Sequence, residues 1–94
     1  MNDEMAIGVM NALLDAGLDV PGDVCVTGHD DILKSNYSRV PLTTIRIYKE
    51  EIGRLVTDLL LERINYKRKF PVKLIVPCEL VVRKSTRRRE VEAE

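Results

Sequence analysis

The sequence is poor in the residues that build aromatic platforms and metal sites. Its 94 residues contain one phenylalanine, three tyrosines, two cysteines, a single histidine and no tryptophan. With so few aromatics, none is placed to stack on nucleic acid bases. The cysteines and the histidine show no CxxC or HxxxH spacing, which metal sites often use. We therefore expect this chain to bind no metal and no other cofactor.

Long apolar runs are also missing. No run reaches the length of about 18 apolar residues that a membrane-spanning helix needs. Residues 1–14 carry two acidic residues and no basic one, which is the wrong charge for a secretory signal. We therefore expect a cytoplasmic protein without a membrane partner. Cys25 and Cys78 each lie within an apolar run, which favours two separate buried thiols over a disulfide.

The charged residues balance overall but are unevenly distributed. The net charge is zero, with fifteen acidic and fifteen basic residues. Residues 61–94 hold ten of the basic residues and five of the acidic ones. A basic segment is typical of nucleic acid partners, but the interspersed acidic residues favour a solvated surface. We predict that residues 87–94 form a charged, disordered tail. The GxSxG, GxxxxGKS/T and HExxH motifs of common enzyme classes do not occur.

Hydrophobic periodicity predicts alternating helices and strands. A first helix is expected over 4–16, because Asn2 and Asp3 are good N-cap residues and Gly17 suits a left-handed C-terminal position. A second helix, over 49–66, carries an apolar stripe at helical spacing. Short β-branched segments predict strands at 24–28, 42–47, 73–76 and 79–83, with a helical turn near 33–37. The order helix-strand-strand-helix-strand-strand indicates an α/β fold in which helices cover a sheet.

The first helix is apolar on two faces. Met5, Ala6, Val9, Ala12, Leu13 and Ala16 form one face on a helical wheel, and Ile7, Met10 and Leu14 form another. A helix that only covers a sheet needs one stripe. The second face is buried either under other parts of the same chain or against a second subunit.

An acidic segment stands where a parallel strand is expected to finish. His29, Asp30 and Asp31 directly follow Gly28, and ligands of open α/β sheets bind beyond the carboxyl ends of strands. An ionised carboxylate there would accept hydrogen bonds from hydroxyl or ring N–H groups of a ligand. The alternatives are that both aspartates cap a turn or the next helix, that they bind Mg²⁺, or that His29 acts as a general base in an enzyme.

Five segments stand in a combination that points to one family. They are Asn2-Asp3, the segment Gly17 to Asp31, Pro41-Leu42-Thr43-Thr44-Ile45, Glu51-Ile52-Gly53, and the segment Pro77 to Ser85. Together they resemble the LacI/GalR family of bacterial transcription regulators over residues 2–86. One departure is His29, where the family has Phe or Tyr.

The resemblance implies a fragment of a two-lobed, doubly wound sensing domain, like that of type I periplasmic binding proteins, over 1–86. The DNA-binding head and most of that domain would lie outside this chain, as in an expressed fragment or a truncated gene. The chain would cross between lobes near 46–49 and near 75–79. Asp30, with Asn2 beside it, would hold a small-molecule effector such as a sugar or a nucleobase. Four residues are implied in a homodimer interface, namely Ile7, Met10, Leu14 and Tyr37.

The implied function is effector-dependent control of operator binding, without enzymatic activity. Two alternatives stay open: a sugar-binding transport receptor of the same fold, and an enzyme that uses Asp30, Asp31 and His29. The apolar stripe of the second helix would normally pack on a sheet that is mostly missing here. We therefore expect this chain to oligomerise or to rearrange so that Ile52, Leu55, Val56 and Leu59 are covered.

Overall fold

The computed structural model of the chain describes residues 1–87. Its internal contacts divide the chain into two compact units. The first unit is Met1–Arg46 with the described residues from Glu79 onward, and the second unit is Ile47–Cys78. The two boundaries fall at the predicted crossovers near 46–49 and 75–79. Of the tail predicted over 87–94, residues 88–94 lie outside the described part of the chain.

The first helix, α1, spans Asp3–Asp15. The side chain of Asn2 caps it by accepting a hydrogen bond from the Met5 backbone N–H at 2.9 Å, which satisfies one of the unpaired donors of the first turn. Gly17 follows the helix with φ 86, a conformation that glycine adopts without strain. The helix therefore lies within one residue of its predicted bounds.

The segment predicted as a strand over 24–28 is not a strand. It forms only isolated parallel bridges, Thr27 with Thr43 and, further along, Asp30 with Arg46. Within 24–28, Val26 alone is buried, whereas Val24, Cys25 and Thr27 are exposed. An apolar composition predicts burial but not a neighbouring strand. The N–H groups of this segment donate to two separate parts of the chain, at Ser85 and Thr43, so no continuous ladder forms.

Two short strands form the sheet of the first unit. Strand β1 spans Thr44–Arg46 and strand β2 spans Glu79–Val81. They pair antiparallel, with Arg46 opposite Glu79 and Thr44 opposite Val81. Both lie inside their predicted ranges of 42–47 and 79–83 but are shorter. The predicted strand over 73–76 is wrong, because those residues form no strand in the structure.

The core of the first unit lies against one side of α1. Its buried hydrophobic residues are Ala6, Ile7, Met10, Val20, Val26 and Leu42. Met5 and Val9, which the helical wheel placed with Ala6, are 60% and 42% exposed. Burial by the same chain therefore accounts for the face that carries Ile7 and Met10, and the face with more open surface carries Met5 and Val9.

A short 3-10 helix, Leu33–Asn36, confirms the predicted helical turn near 33–37. The main element of the second unit is α2, Lys49–Tyr66, as predicted over 49–66. It ends at Lys67, whose φ of 46 is left-handed. No residue of α2 is buried; along its apolar stripe Ile52 and Leu59 are half-buried, whereas Leu55 and Val56 are exposed. That these side chains become covered in solution stays a prediction.

Both cysteines are free thiols, as expected, but the expectation that they are buried is wrong. Cys25 and Cys78 are exposed, because neither apolar run forms a strand with two covered faces. In residues 1–87, no helix has the length and apolar character needed to cross a membrane.

Candidate functional site

The segment after Gly28 turns sharply at two consecutive aspartates. Asp30 has φ 121 and Asp31 has φ 53, a region that costs residues other than glycine about 1–3 kcal/mol each. The backbone is held at both residues. The Asp30 N–H donates to Ile45 O at 2.9 Å, and the Asp31 N–H donates to the Thr44 hydroxyl at 3.3 Å. The surroundings of the turn therefore impose a strained conformation on it.

The Asp31 carboxylate is held between two arginines. Arg46 Nε donates to one oxygen at 2.8 Å, and Arg83 Nη2 donates to the other at 2.7 Å. The Asp31 side chain is only 12% exposed. Burial works to raise the pKa of its carboxyl, but the hydrogen bonds and charges of the two guanidinium groups outweigh burial and hold this pKa below its ordinary value of 3.8. The sequence alternative in which this aspartate caps a turn is therefore wrong, because its side chain binds arginines instead.

The Asp30 carboxylate has a more open environment. His29 Nδ1 lies 3.2 Å from its Oδ1. Because an ionised carboxylate only accepts hydrogen bonds, the imidazole must donate through Nδ1. The side chains of His29 and Asp30 are 53% and 42% exposed. The two neighbouring aspartates therefore differ in exposure. The side chain of Asp31 points into the protein, whereas that of Asp30 keeps surface that a ligand can reach.

A buried carboxylate, which sequence analysis identified only as a helix cap, also contacts this turn. Asp3 has no exposed surface and accepts hydrogen bonds from Ser35 Oγ at 2.5 Å, Thr44 Oγ1 at 2.6 Å and the Ile32 N–H at 2.9 Å. Its own N–H donates to His29 O at 3.2 Å. Burial works to raise the pKa of the Asp3 carboxyl, but these hydrogen bonds outweigh it and hold the pKa below 3.8. Asp3 thereby ties α1 to both ends of the turn.

The second predicted effector residue, Asn2, is exposed at the start of α1. Its Oδ1 already accepts the capping hydrogen bond from Met5. The bond from Asp3 N–H to His29 O brings the start of this helix next to the turn that carries Asp30. The structure thus gives Asn2 a capping contact, and its role toward an effector stays a prediction.

The four residues implied in a subunit interface have different surroundings. Met10 has no exposed surface and Ile7 is 6% exposed. Their side chains are covered within the first unit, which leaves these two residues little surface for a second subunit. Leu14 is half-buried and packs against the core, whereas Tyr37 is 75% exposed. An interface role remains a prediction for Leu14 and Tyr37.

Acid is expected to destabilise the first unit through Asp3 and Asp31. Both carboxyls have a folded pKa below 3.8, so their contribution is fully present above that value. It is lost as the pH falls below 3.8 and the folded protein must take up protons. Urea unfolding measured from pH 5 down to pH 2 should show the midpoint falling in this range. A midpoint independent of pH there would contradict the assignment.

Residues 1–86 match the family of periplasmic binding protein-like domains. The chain is 42% identical over 84 residues to the transcriptional repressor MelR of Bacillus subtilis (strain 168), and this alignment covers 89% of the chain and 24% of MelR. It is 40% identical over 87 residues to the lactose operon repressor of Rhizobium radiobacter, which covers 93% of this chain and 76% of that protein. The chain thus spans about a quarter of the length of the first relative and three quarters of the second.

Solved structures give the same picture. The Lac repressor dimer bound to operator and the anti-inducer ONPF is similar with a TM-score of 0.82 at 36% identity, over 90% of this chain and 29% of that chain. A LacI family regulator from Enterococcus faecium with bound ribose is similar with a TM-score of 0.81 at 35% identity, over 92% of this chain and 32% of that chain.

Proposed function

The chain belongs to the LacI family of transcriptional regulators, through its periplasmic binding protein-like domain, and from that premise we propose that it senses a small-molecule effector. The relatives are named as repressors, which favours the regulator over a transport receptor. We assign it no catalytic activity.

The observation that carries the proposal is the accessible Asp30 carboxylate on its constrained turn. Asp30 keeps 42% of its side-chain surface, while the backbone on both sides of it is fixed by hydrogen bonds. A fixed carboxylate accepts hydrogen bonds from adjacent hydroxyls of a sugar or from ring N–H groups of a nucleobase. Such a charged acceptor contributes about 1.5–3 kcal/mol per hydrogen bond. Asp30 is therefore the residue we assign to effector binding, with Asn2 as its neighbour.

The proposed mechanism is a shift between two conformations of the sensing domain. An effector that binds one conformation better than the other raises its population by the difference in affinity. The favoured conformation sets the operator affinity of a homodimer, in which each subunit reads one half-site. Contacts to operator DNA belong to a separate head domain, not to residues 1–86. As a regulator of operator DNA the protein would act in the cytoplasm.

The homodimer surface we assign to the first unit uses α1 and the segment after the aspartate turn. Tyr37 is exposed there, and Leu14 is half-buried beside the core. Aromatic side chains such as that of Tyr37 are enriched at subunit interfaces, and homodimer interfaces are more apolar than the rest of the surface. The covered residues Ile7 and Met10 are left out of this surface.

The test compares the effector affinity of the full-length protein with that of its Asp30→Asn variant. Calorimetric titration uses D-ribose, cellobiose and hypoxanthine as probes, because they cover sugars and purines. For a probe that binds, Asp30→Asn should weaken the affinity by about 10- to 100-fold, since it removes the charge from one or two hydrogen bonds. Asp15→Asn is the matched control, because Asp15 is another carboxylate of the first unit, 71% exposed and paired with Arg39. Equal affinity in Asp30→Asn and the unmodified protein would contradict the assignment.

A further inference from the structure

We propose that Asp31 is a positioning residue: it binds no effector itself but fixes the place of the Asp30 carboxylate. This inference rests on the proposed function of Asp30 in effector binding. It gives Asp31 a role of its own, which neither the family resemblance nor the relatives' names provide.

The protein already uses both oxygens of the Asp31 carboxylate. Arg46 Nε and Arg83 Nη2 each donate to a different oxygen, at 2.8 and 2.7 Å. With 12% of its side chain exposed, Asp31 offers an effector little surface. A carboxylate bound by two guanidinium groups on opposite oxygens is also fixed in orientation, because each planar donor group restricts its direction.

The two arginines that bind Asp31 come from separate segments of the chain. Arg46 is the last residue of β1. Arg83 follows β2, and its Nη1 also donates to Leu42 O at 3.0 Å. The Asp31 side chain is therefore anchored to both chain segments that form the sheet. A displacement of the turn would break hydrogen bonds to both at once.

The backbone of the turn also depends on the hydrogen bonds of the Asp31 side chain. Asp30 and Asp31 both have left-handed φ angles, 121 and 53, and such a conformation persists only where the surroundings over-determine it. A single peptide unit joins the Cα of Asp30 to the Cα of Asp31, whose side chain is held by the two arginines. If the carboxylate of Asp31 is released, the turn can relax toward ordinary φ values. Such a relaxation swings the Asp30 side chain away from its present direction.

The chain contains its own reporter of the Asp30 position. His29 is its only histidine, and its Nδ1 lies 3.2 Å from Asp30 Oδ1. When the imidazole is neutral, a carboxylate at this place selects the form protonated on Nδ1, whereas an imidazole without such an acceptor favours the form protonated on Nε2. The ratio of the two neutral forms of His29 therefore reports the position of the Asp30 carboxylate, even when no effector is bound.

The experiment measures this ratio by ¹⁵N NMR of the chain labelled in histidine, at a pH of about 9, where imidazole is neutral. Asp30→Asn defines the value without the carboxylate. Asp31→Asn removes the anchor, and Arg83→Lys keeps the charge but removes the planar guanidinium. We expect both to shift the ratio toward that of Asp30→Asn. Asp15→Asn, the matched carboxylate control, should leave it unchanged. All samples are measured at low and at high salt, because screening removes long-range effects of charge but not a direct hydrogen bond.

The inference is overturned if folded Asp31→Asn or Arg83→Lys protein keeps the unmodified Nδ1 form. Arg83→Lys decides the matter should Asp31→Asn fail to fold. Where a sugar or purine probe binds, Asp31→Asn should also weaken its affinity about tenfold without a direct contact. If no probe binds the unmodified protein, the effector proposal fails while the NMR result still decides the role of Asp31.

Discussion

Replacing Gly28 with alanine is expected to lower the free energy of unfolding by about 3 kcal/mol or more. A Cβ at Gly28 would overlap the Asp3 carboxylate and lie 2.8 Å from a Leu42 methyl carbon. Asp3 has little room to move, because Ser35 and Thr44 donate to its two oxygens. The added methyl group must therefore displace the turn or break these hydrogen bonds. Urea unfolding monitored by circular dichroism measures the loss.

Gly8→Ala is the matched control for this substitution. Gly8 lies within α1, and nothing stands within 4 Å of the position that a Cβ would occupy. Alanine in a helix interior is favoured over glycine by about 0.5–1 kcal/mol, so this variant should be slightly more stable than the unmodified chain. Opposite signs for the two substitutions are expected. Equal small effects would contradict the close contact between Gly28 and Asp3.

Asp3→Ala is expected to cost about 3 kcal/mol of unfolding free energy, because it leaves buried donors without an acceptor. Two hydroxyls and one backbone N–H, those of Ser35, Thr44 and Ile32, lose their partner together. The variant should also lose part of the acid dependence that Asp3 contributes. Urea unfolding at neutral pH and near pH 3 measures both effects. Asp15→Asn, an exposed carboxylate on the same helix, should change stability by about 0.5 kcal/mol or less.

A double-mutant cycle links these two predictions. In the Asp3→Ala background the carboxylate that overlaps a Cβ at position 28 is gone, so Gly28→Ala should cost clearly less than in the unmodified chain. Contacting residues are expected to show such non-additivity, whereas independent sites are additive within about 0.5 kcal/mol. Additive losses would mean that the alanine is accommodated elsewhere and that the clash with Asp3 is not the cause.

The residues of the candidate site differ in how far the sequence predicted them. The position of Asp30 just beyond a predicted strand, together with the family resemblance, indicated a ligand contact, and its carboxylate in the structure keeps the accessible surface for that use. Asp31 stood beside it with the same side chain, and nothing local separated the two. Its partners Arg46 and Arg83 lie 15 and 52 residues away. A side chain whose partners are that remote carries no local signal of its role.

The helices could be predicted from the sequence, because the interactions that begin and end them are between residues close in the chain. The cap at Asn2, the left-handed Gly17 and the apolar stripe of α2 act within a few residues, so the bounds of both helices followed from spacing alone. The family also followed, because five segments kept their order. Tertiary structure alone decided which helix face is buried, where 24–28 finds its hydrogen bonds, and that Asp3 and Asp31 point inward. Those outcomes depend on contacts between side chains from distant segments, and neither secondary-structure propensity nor hydrophobic periodicity predicts such contacts.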